Sequence, residues 1–510
     1  MAITATTPPE LGELREQLAE LTDLQGAAAL LAWDQNTFMP PGGADARADQ
    51  MATLERLAHA RLVDPALGRL LDALEPWAAG LDPDSDDARL VRWTRRDHEK
   101  AARVPAELAV EMARESARGY NAWIDARRTG EFRRFRDALA RQVELRRRYA
   151  ACFPDAAHPY DVLLDDFEPG MTTAEIRPLF EQLTTALVPL VDAAADPEAE
   201  PNGGVFNGAF PIERQRAALH AILGELGFED EHWRLDASPH PFAQSPGHGD
   251  VRLTSRYRED DLAYALYSGL HEFGHGLYDF NLGAGLRRTP LHDCASLGIH
   301  ESQSRLWENI VGRGRPFSVW LLPRLQDLLD GFDDLDPATL YKGLNTVQRS
   351  LIRTESDETT YNLHIALRME LELALLDDRV EVDDLPTAWN DGMRRMLGVE
   401  VTSDDDGVLQ DVHWAQGAFG YFPTYTLGNL MAAQLWQQIR EDLPAVDPAI
   451  EGGEFGPLRD WLREHIHQHG RKYTQRELLR RATRQELGVQ PFLDYLSAKL
   501  TDAGIVAPGA

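Results

Sequence analysis

The chain has 510 residues, 43% of them apolar and 26% charged, with 83 Asp and Glu against 52 Lys and Arg, a formal net charge of −31. A chain of this length buries a large core, and so acidic a surface repels nucleic acid and anionic membrane. No run of eighteen apolar residues occurs, so no membrane-spanning helix is expected, and the two distant cysteines, Cys152 and Cys294, form no disulfide framework and fit a reducing cytoplasm.

In chain order, the opening MAITATTPPELGELREQ has neither a basic nor an apolar segment, which predicts no secretory signal. Leu11, Leu14, Leu18, Leu21 and Leu24 then form one apolar stripe, predicting a helix that serves as a lid or packs against a partner copy. PDSDD near 83 and AADPEAEPNGG near 194–204 read as surface loops. Thr172 and Thr173 ahead of Glu175, and Pro211 ahead of 212, mark two helix starts. The best strand signal is DVRLTSRY, 250–257, which follows a loop of turn formers, ASPHPFAQSPGHG. Helical periodicity dominates the rest, and no internal repeat is visible. Only four residues are lysine, so arginine carries nearly all the positive charge. This surface resembles that of proteins from salt-loving microbes, or it reflects a GC-rich codon choice. The expectation is a mainly α protein, a single large helical domain over 1–510 with a deep cleft and a small β-sheet.

Within LYSGLHEFGHGLYDF, 266–280, His271 and His275 stand four apart with Glu272 between them. On a helix that spacing points both imidazoles the same way. Two imidazoles with one further ligand suit a catalytic zinc ion, which keeps a position open for water. Glu272 is then placed to take a proton from that water. Gly274 and Gly276 are poor helix formers, which a close approach by substrate or another helix explains. For the third ligand, CASLGIHESQSRLWENIVG offers His292, His300, Glu301 and Glu308. Glu301 is preferred because a carboxylate opposite two imidazoles lowers the net charge of the site.

Further motifs follow one another along the chain. They are His240-Pro241-Phe242; Asp250, Arg252 and Thr254 as DxRxT; His271–His275 as HExxH; and His300-Glu301-Ser302-Gln303. Ile352, Arg353, Ser356 and Asp357 come next, then GVLQDVHW, Gly407–Trp414. In these six ordered motifs the chain resembles the carboxypeptidase Taq family of metallocarboxypeptidases. LLAWDQNTFMP and GYFPTYTLGN read the same way. The resemblance implies a helical cleft fold, a divalent ion (zinc, with cobalt the alternative) and removal of single residues from free peptide C-termini with broad specificity. It further implies a homodimeric cytoplasmic enzyme, its N-terminal helices, about 8–130, forming a lid or cleft wall.

The expected roles are these. His271, His275 and Glu301 hold the metal, and Glu272 is the general base. His413 and Tyr425 donate to the oxyanion, with Tyr421 the alternative phenol. A free α-carboxylate calls for a guanidinium, whose planar fork bonds both oxygens. Arg353 is the first choice and Arg252 the second, although Arg252 could instead brace the sheet through Asp250. His240 and Phe242 are expected to line the cleft beside the C-terminal residue. Two rival readings are an endo-acting zinc oligopeptidase of similar fold and a non-catalytic peptide-binding zinc protein.

Overall fold

The computed structural model describes residues 7–507; residues 1–6 of the opening segment read for a secretory signal lie outside it. Among the described residues the chain is helical apart from one three-stranded sheet. The sheet runs in the order β1-β3-β2, with β1 at Trp233–Ala237, β2 at Ala243–Gly247 and β3 at Asp250–Ser255. Strand β3 falls where alternation predicted it. Strand β2 lies inside the segment expected to be a loop of turn formers, which corrects that expectation. It is an edge strand, antiparallel to β3, with an irregular register between Gln244 and Gly247 around Pro246. That is where a sheet tolerates a proline. β1 pairs in parallel, Trp233 opposite Val251 and Leu235 opposite Leu253.

The sheet is the floor under one long helix, Leu262–Phe280, whose start is capped by Asp261 accepting from the Tyr264 amide at 3.0 Å. A Cβ at Gly276 would come within 2.9 Å of Trp233, Val251 and Leu253, so this helix lies directly on the strands. Its other face meets the helix Leu297–Arg305, where a Cβ at Gly274 would fall 2.5 Å from the Gln303 carbonyl oxygen. Gly428, on the helix Pro423–Asp442, meets Glu301 on the opposite side, its added Cβ 2.6 Å from the Glu301 Cγ. The 297–305 helix is thus pressed between two glycine contacts. It continues into a π-helical turn, Leu306–Val311.

Both predicted helix starts are present. Thr172 and Glu175 form a reciprocal capping box ahead of Thr173–Ala194, and Ile212–Leu226 begins after Pro211. The leucine stripe lies on the helix Pro9–Thr37. Leu11, Leu14 and Leu18 are buried in this chain's own second core, against Leu67, Leu71, Leu74, Leu90 and Trp93. That core also takes in Leu286 and Leu291, just past the 262–280 helix. These three leucines of the stripe pack internally.

Candidate active site

His271 and His275 project from the 262–280 helix toward Glu301. Their Nε2 atoms are 3.2 Å apart, and Glu301 Oε2 lies 3.6 Å from the first and 3.4 Å from the second. One ligand atom from each of the three lies within 4.8 Å of the others. Nitrogens bound to one zinc ion at about 2.0–2.1 Å in tetrahedral array stand about 3.3 Å apart, so the donor set fits a divalent ion. The tautomer fits too. His271 Nδ1 is 2.8 Å from Glu308 Oε2, which leaves Nε2 facing the cluster. Arg305 donates to Glu301 at 2.7 Å and to Glu308 at 3.2 Å, holding both carboxylates in place.

The other third-ligand candidates lie outside the triad. The His300 ring stacks on His275 at 4.3 Å but gives its Nε2 to Asp279 at 3.0 Å. His292 packs against His248. Glu308 reaches only the far nitrogen of His271, because the π-helical turn displaces it from the register Glu301 occupies.

The two imidazoles differ: burial, with the neighbouring His300 and His271, holds His275 down to about 4. Burial opposes charging of His271, yet Glu301, Glu308 and Glu272 override it and raise the imidazole to about 9. Such a field receives a cation as readily as a proton. Burial likewise opposes the charge on Glu301, and Arg305 and the two imidazoles hold its carboxyl well below the usual range. Burial pushes Glu272 up to about 7, because the lowering by His271 and His300 is opposed by Glu301 and Glu308.

Of the residues expected to handle substrate, Arg353, His413 and Tyr421 lie on turns, Tyr425 opens the helix Pro423–Asp442, and Arg252 lies on β3. Arg353 is buried, with neither Glu355 nor Asp357 as its partner. Its Nε and Nη2 donate to Asp411 at 3.0 and 2.7 Å, and its Nη1 donates to the Tyr361 hydroxyl at 2.9 Å. Asp411 also accepts from Arg368 Nε at 2.6 Å, so two guanidiniums share one carboxylate. The Tyr361 ring takes Arg305 over one face at 4.4 Å, which links the Arg353 cluster to the metal-ligand cluster through a single side chain. His413 Nε2 is 3.2 Å from the Tyr425 hydroxyl. Burial, aided by the Arg353 and Arg368 charges and opposed by Asp411, holds the His413 imidazole down to about 4, so it is neutral near pH 7. Burial raises Tyr425 well above its ordinary value and Tyr421 to about 12, and both remain O–H donors.

Arg252 takes its bracing role. It bonds Asp250 through two contacts of 2.8 Å and lies 4.3 Å over the Trp33 ring, tying the sheet to the N-terminal helix. Thr254 holds the 238–242 loop, its hydroxyl accepting from the Phe242 amide and the Ser238 hydroxyl at 2.8 Å each. His240 is exposed and Phe242 half-buried, and among the described residues no hydrogen bond joins either side chain to the metal ligands. Sequence reasoning passed over Tyr361 and the bridging role of Asp411. Asp411 was quoted inside a motif, but its partners are 43 and 58 residues away.

Comparison with known proteins agrees with this geometry. Residues 13–500 match the family described as carboxypeptidase Taq (M32) metallopeptidase. The thermostable carboxypeptidase 1 of Thermus thermophilus is 41% identical over 495 residues, covering 95% of this chain and 97% of that protein. Carboxypeptidase 1 of Bacillus subtilis is 36% identical, covering 96% and 98%. The crystal structure of the M32 carboxypeptidase from Deinococcus radiodurans R1 superposes with a TM-score of 0.92 at 39% identity, covering 97% of this chain and 99% of that one. The chain belongs to the carboxypeptidase Taq (M32) family and is a metallocarboxypeptidase.

Proposed function

We propose that this enzyme is a zinc-dependent exopeptidase of broad specificity, with cobalt the alternative ion, acting on peptides with a free C-terminus. The observation that carries the reading is the His271, His275 and Glu301 triad with Glu272 buried beside it. When bound there, the divalent ion would polarise the scissile carbonyl and acidify a water molecule. Glu272, raised to about 7, accepts the proton of the attacking water near neutral pH and hands it to the departing amine. The neutral His413 imidazole and the Tyr425 hydroxyl, with Tyr421 beside them, donate to the oxygen that becomes negative.

Arg353 is assigned the substrate carboxylate. Support comes from charge: Arg353 and Arg368 share the single charge of Asp411, so the buried cluster keeps one positive charge for an incoming anion. The Tyr361 link to Arg305 gives that anion a location close to the metal ligands, as removal of one residue requires. His240, Phe242 and Arg252 are proposed to border the substrate rather than to contact the reacting atoms.

A homodimeric cytoplasmic enzyme is part of the same reading. The exposed Val110, Tyr120 and Ile124 on the helix Ala106–Thr129 give it a candidate apolar face, and no described helix is long and apolar enough to cross a membrane. The test compares peptides ending in a free carboxylate with the same peptides ending in an amide, with metal analysis and mass spectrometry of the products. Single-residue ladders from the free peptides alone are expected. Internal cleavage of both series would favour the oligopeptidase reading.

A further inference from the structure

Glu372 lies on the helix Glu358–Leu376 with no solvent exposure, and no guanidinium or ammonium among the described residues hydrogen-bonds to it. Three neutral donors converge on its carboxylate. Trp414 Nε1 donates to Oε1 at 2.9 Å, and the Gly420 amide and the Tyr160 hydroxyl donate to Oε2 at 3.0 and 2.6 Å. Trp414 follows His413 directly, and Gly420 directly precedes Tyr421. The turn between them is closed by the Ala418 amide donating to the His413 carbonyl at 2.9 Å. Gly420 is in the left-handed region, φ 87°, and its added Cβ would sit 2.7 Å from the Leu163 backbone, so this end of the turn has one seat.

We infer that Glu372 is a positioning residue for the reaction: by gripping both ends of the 414–420 turn, it sets His413 against Tyr425 and Tyr421 so that their N–H and O–H groups aim at one oxygen. The inference rests on the reading of those residues as oxyanion donors. The chemistry of the contact singles out a carboxylate. A glutamine at 372 has one acceptor oxygen, which the two donors at the Oε2 position claim, so its amide hydrogens would oppose the Trp414 N–H. Burial pushes the Glu372 carboxyl up to about 7, against the lowering by its three donors and the Arg368 charge. Burying such a group is costly, and the three bonds offset that cost while fixing the turn.

The test uses the metal-loaded enzyme and four variants: Glu372→Gln, Trp414→Phe, the two combined, and His413→Phe. Metal stoichiometry, kcat, KM on a free-C-terminus peptide and affinity for a phosphonate peptide mimicking the tetrahedral adduct are measured for each. Misplacement of oxyanion donors by part of an ångström predicts a kcat loss of about tenfold or more in Glu372→Gln. Metal content is expected to be full, KM within about twofold, and phosphonate binding weakened in proportion to kcat. Trp414→Phe removes the donor that the glutamine amide opposes, so the double variant is expected to match Trp414→Phe alone rather than to add the two losses. A kcat within twofold of the parent in Glu372→Gln, or fully additive losses in the double variant, overturns the inference. If His413→Phe lowers kcat while Glu372→Gln does not, only the positioning role fails. If His413→Phe has no effect, the donor reading fails and the positioning role falls with it. Should Glu372→Gln not fold, Trp414→Phe alone decides: a fall in kcat at constant KM supports the inference, and an unchanged kcat overturns it.

Discussion

The half of the site proposed to hold the metal and the half proposed to grip the substrate carboxylate and the oxyanion are built differently. His271, Glu272, His275 and Glu301 sit on two regular helices in contact through a glycine, and their spacing is set by helical repeat. Arg353, His413 and Tyr421 sit on turns and a short 3-10 segment, where no repeat fixes a side chain. There, buried acids take over: Asp411 ties Arg353 to Arg368, and Glu372 ties Trp414 to Gly420. A helix holds its groups through many small backbone bonds, whereas a turn depends on a few strong ones. Damage should therefore be local and chemical in the first half, and conformational in the second.

The largest effect that would break this contrast belongs to Glu272→Gln. It is expected to lower kcat about 10³-fold while metal content, read by elemental analysis, and melting temperature stay at parental values. Next comes Asp411→Asn, which leaves two buried guanidiniums with one neutral partner; urea unfolding at pH 7 should show a loss of about 3–5 kcal/mol. Equal stability would mean the loop half is held by something other than its acids. Arg353→Ala should reduce kcat/KM for free-carboxylate peptides about 10²-fold and leave any residual rate on amidated peptides unchanged. A smaller loss, about tenfold in kcat, is expected for Tyr425→Phe with less for Tyr421→Phe, and steady-state kinetics on the pair would show which phenol donates.

A last effect carries a sign. Glu168 caps the 297–305 helix by accepting from the Gly298 amide, and burial pushes its carboxyl from an ordinary 4.5 to about 8. The folded chain therefore keeps a proton that the unfolded chain releases above 4.5, and this contribution to stability declines as pH rises from about 4.5 to 8. Glu168→Gln should flatten the unfolding free energy measured across that window, by at most about 1.4 kcal/mol per unit of pH.

The same contrast explains what could be read in the sequence. HExxH is legible because its geometry is local, and Glu301 because charge balance favoured a carboxylate from a second helix. Strand β3 showed itself by alternation. β1 and β2 did not, since each has five residues and β2 carries Pro246 among turn formers. The partnership of Arg353 with Asp411 spans 58 residues and follows no periodicity, so nothing in the local sequence points to it. The leucine stripe was visible, but not which core would take it: that required Leu67 to Trp93 folded back upon it.

Glycines on both sides of the Glu301 helix make the spacing of the proposed metal ligands a matter of missing atoms. Backbone lies against backbone at Gly274, and backbone against the Glu301 side chain at Gly428. One methyl group at either position would act as a wedge, shifting an acid that makes no bond to that glycine. Mutational tolerance here should follow thickness rather than polarity, so the least reactive residues in the neighbourhood set the calibre of its most reactive spot.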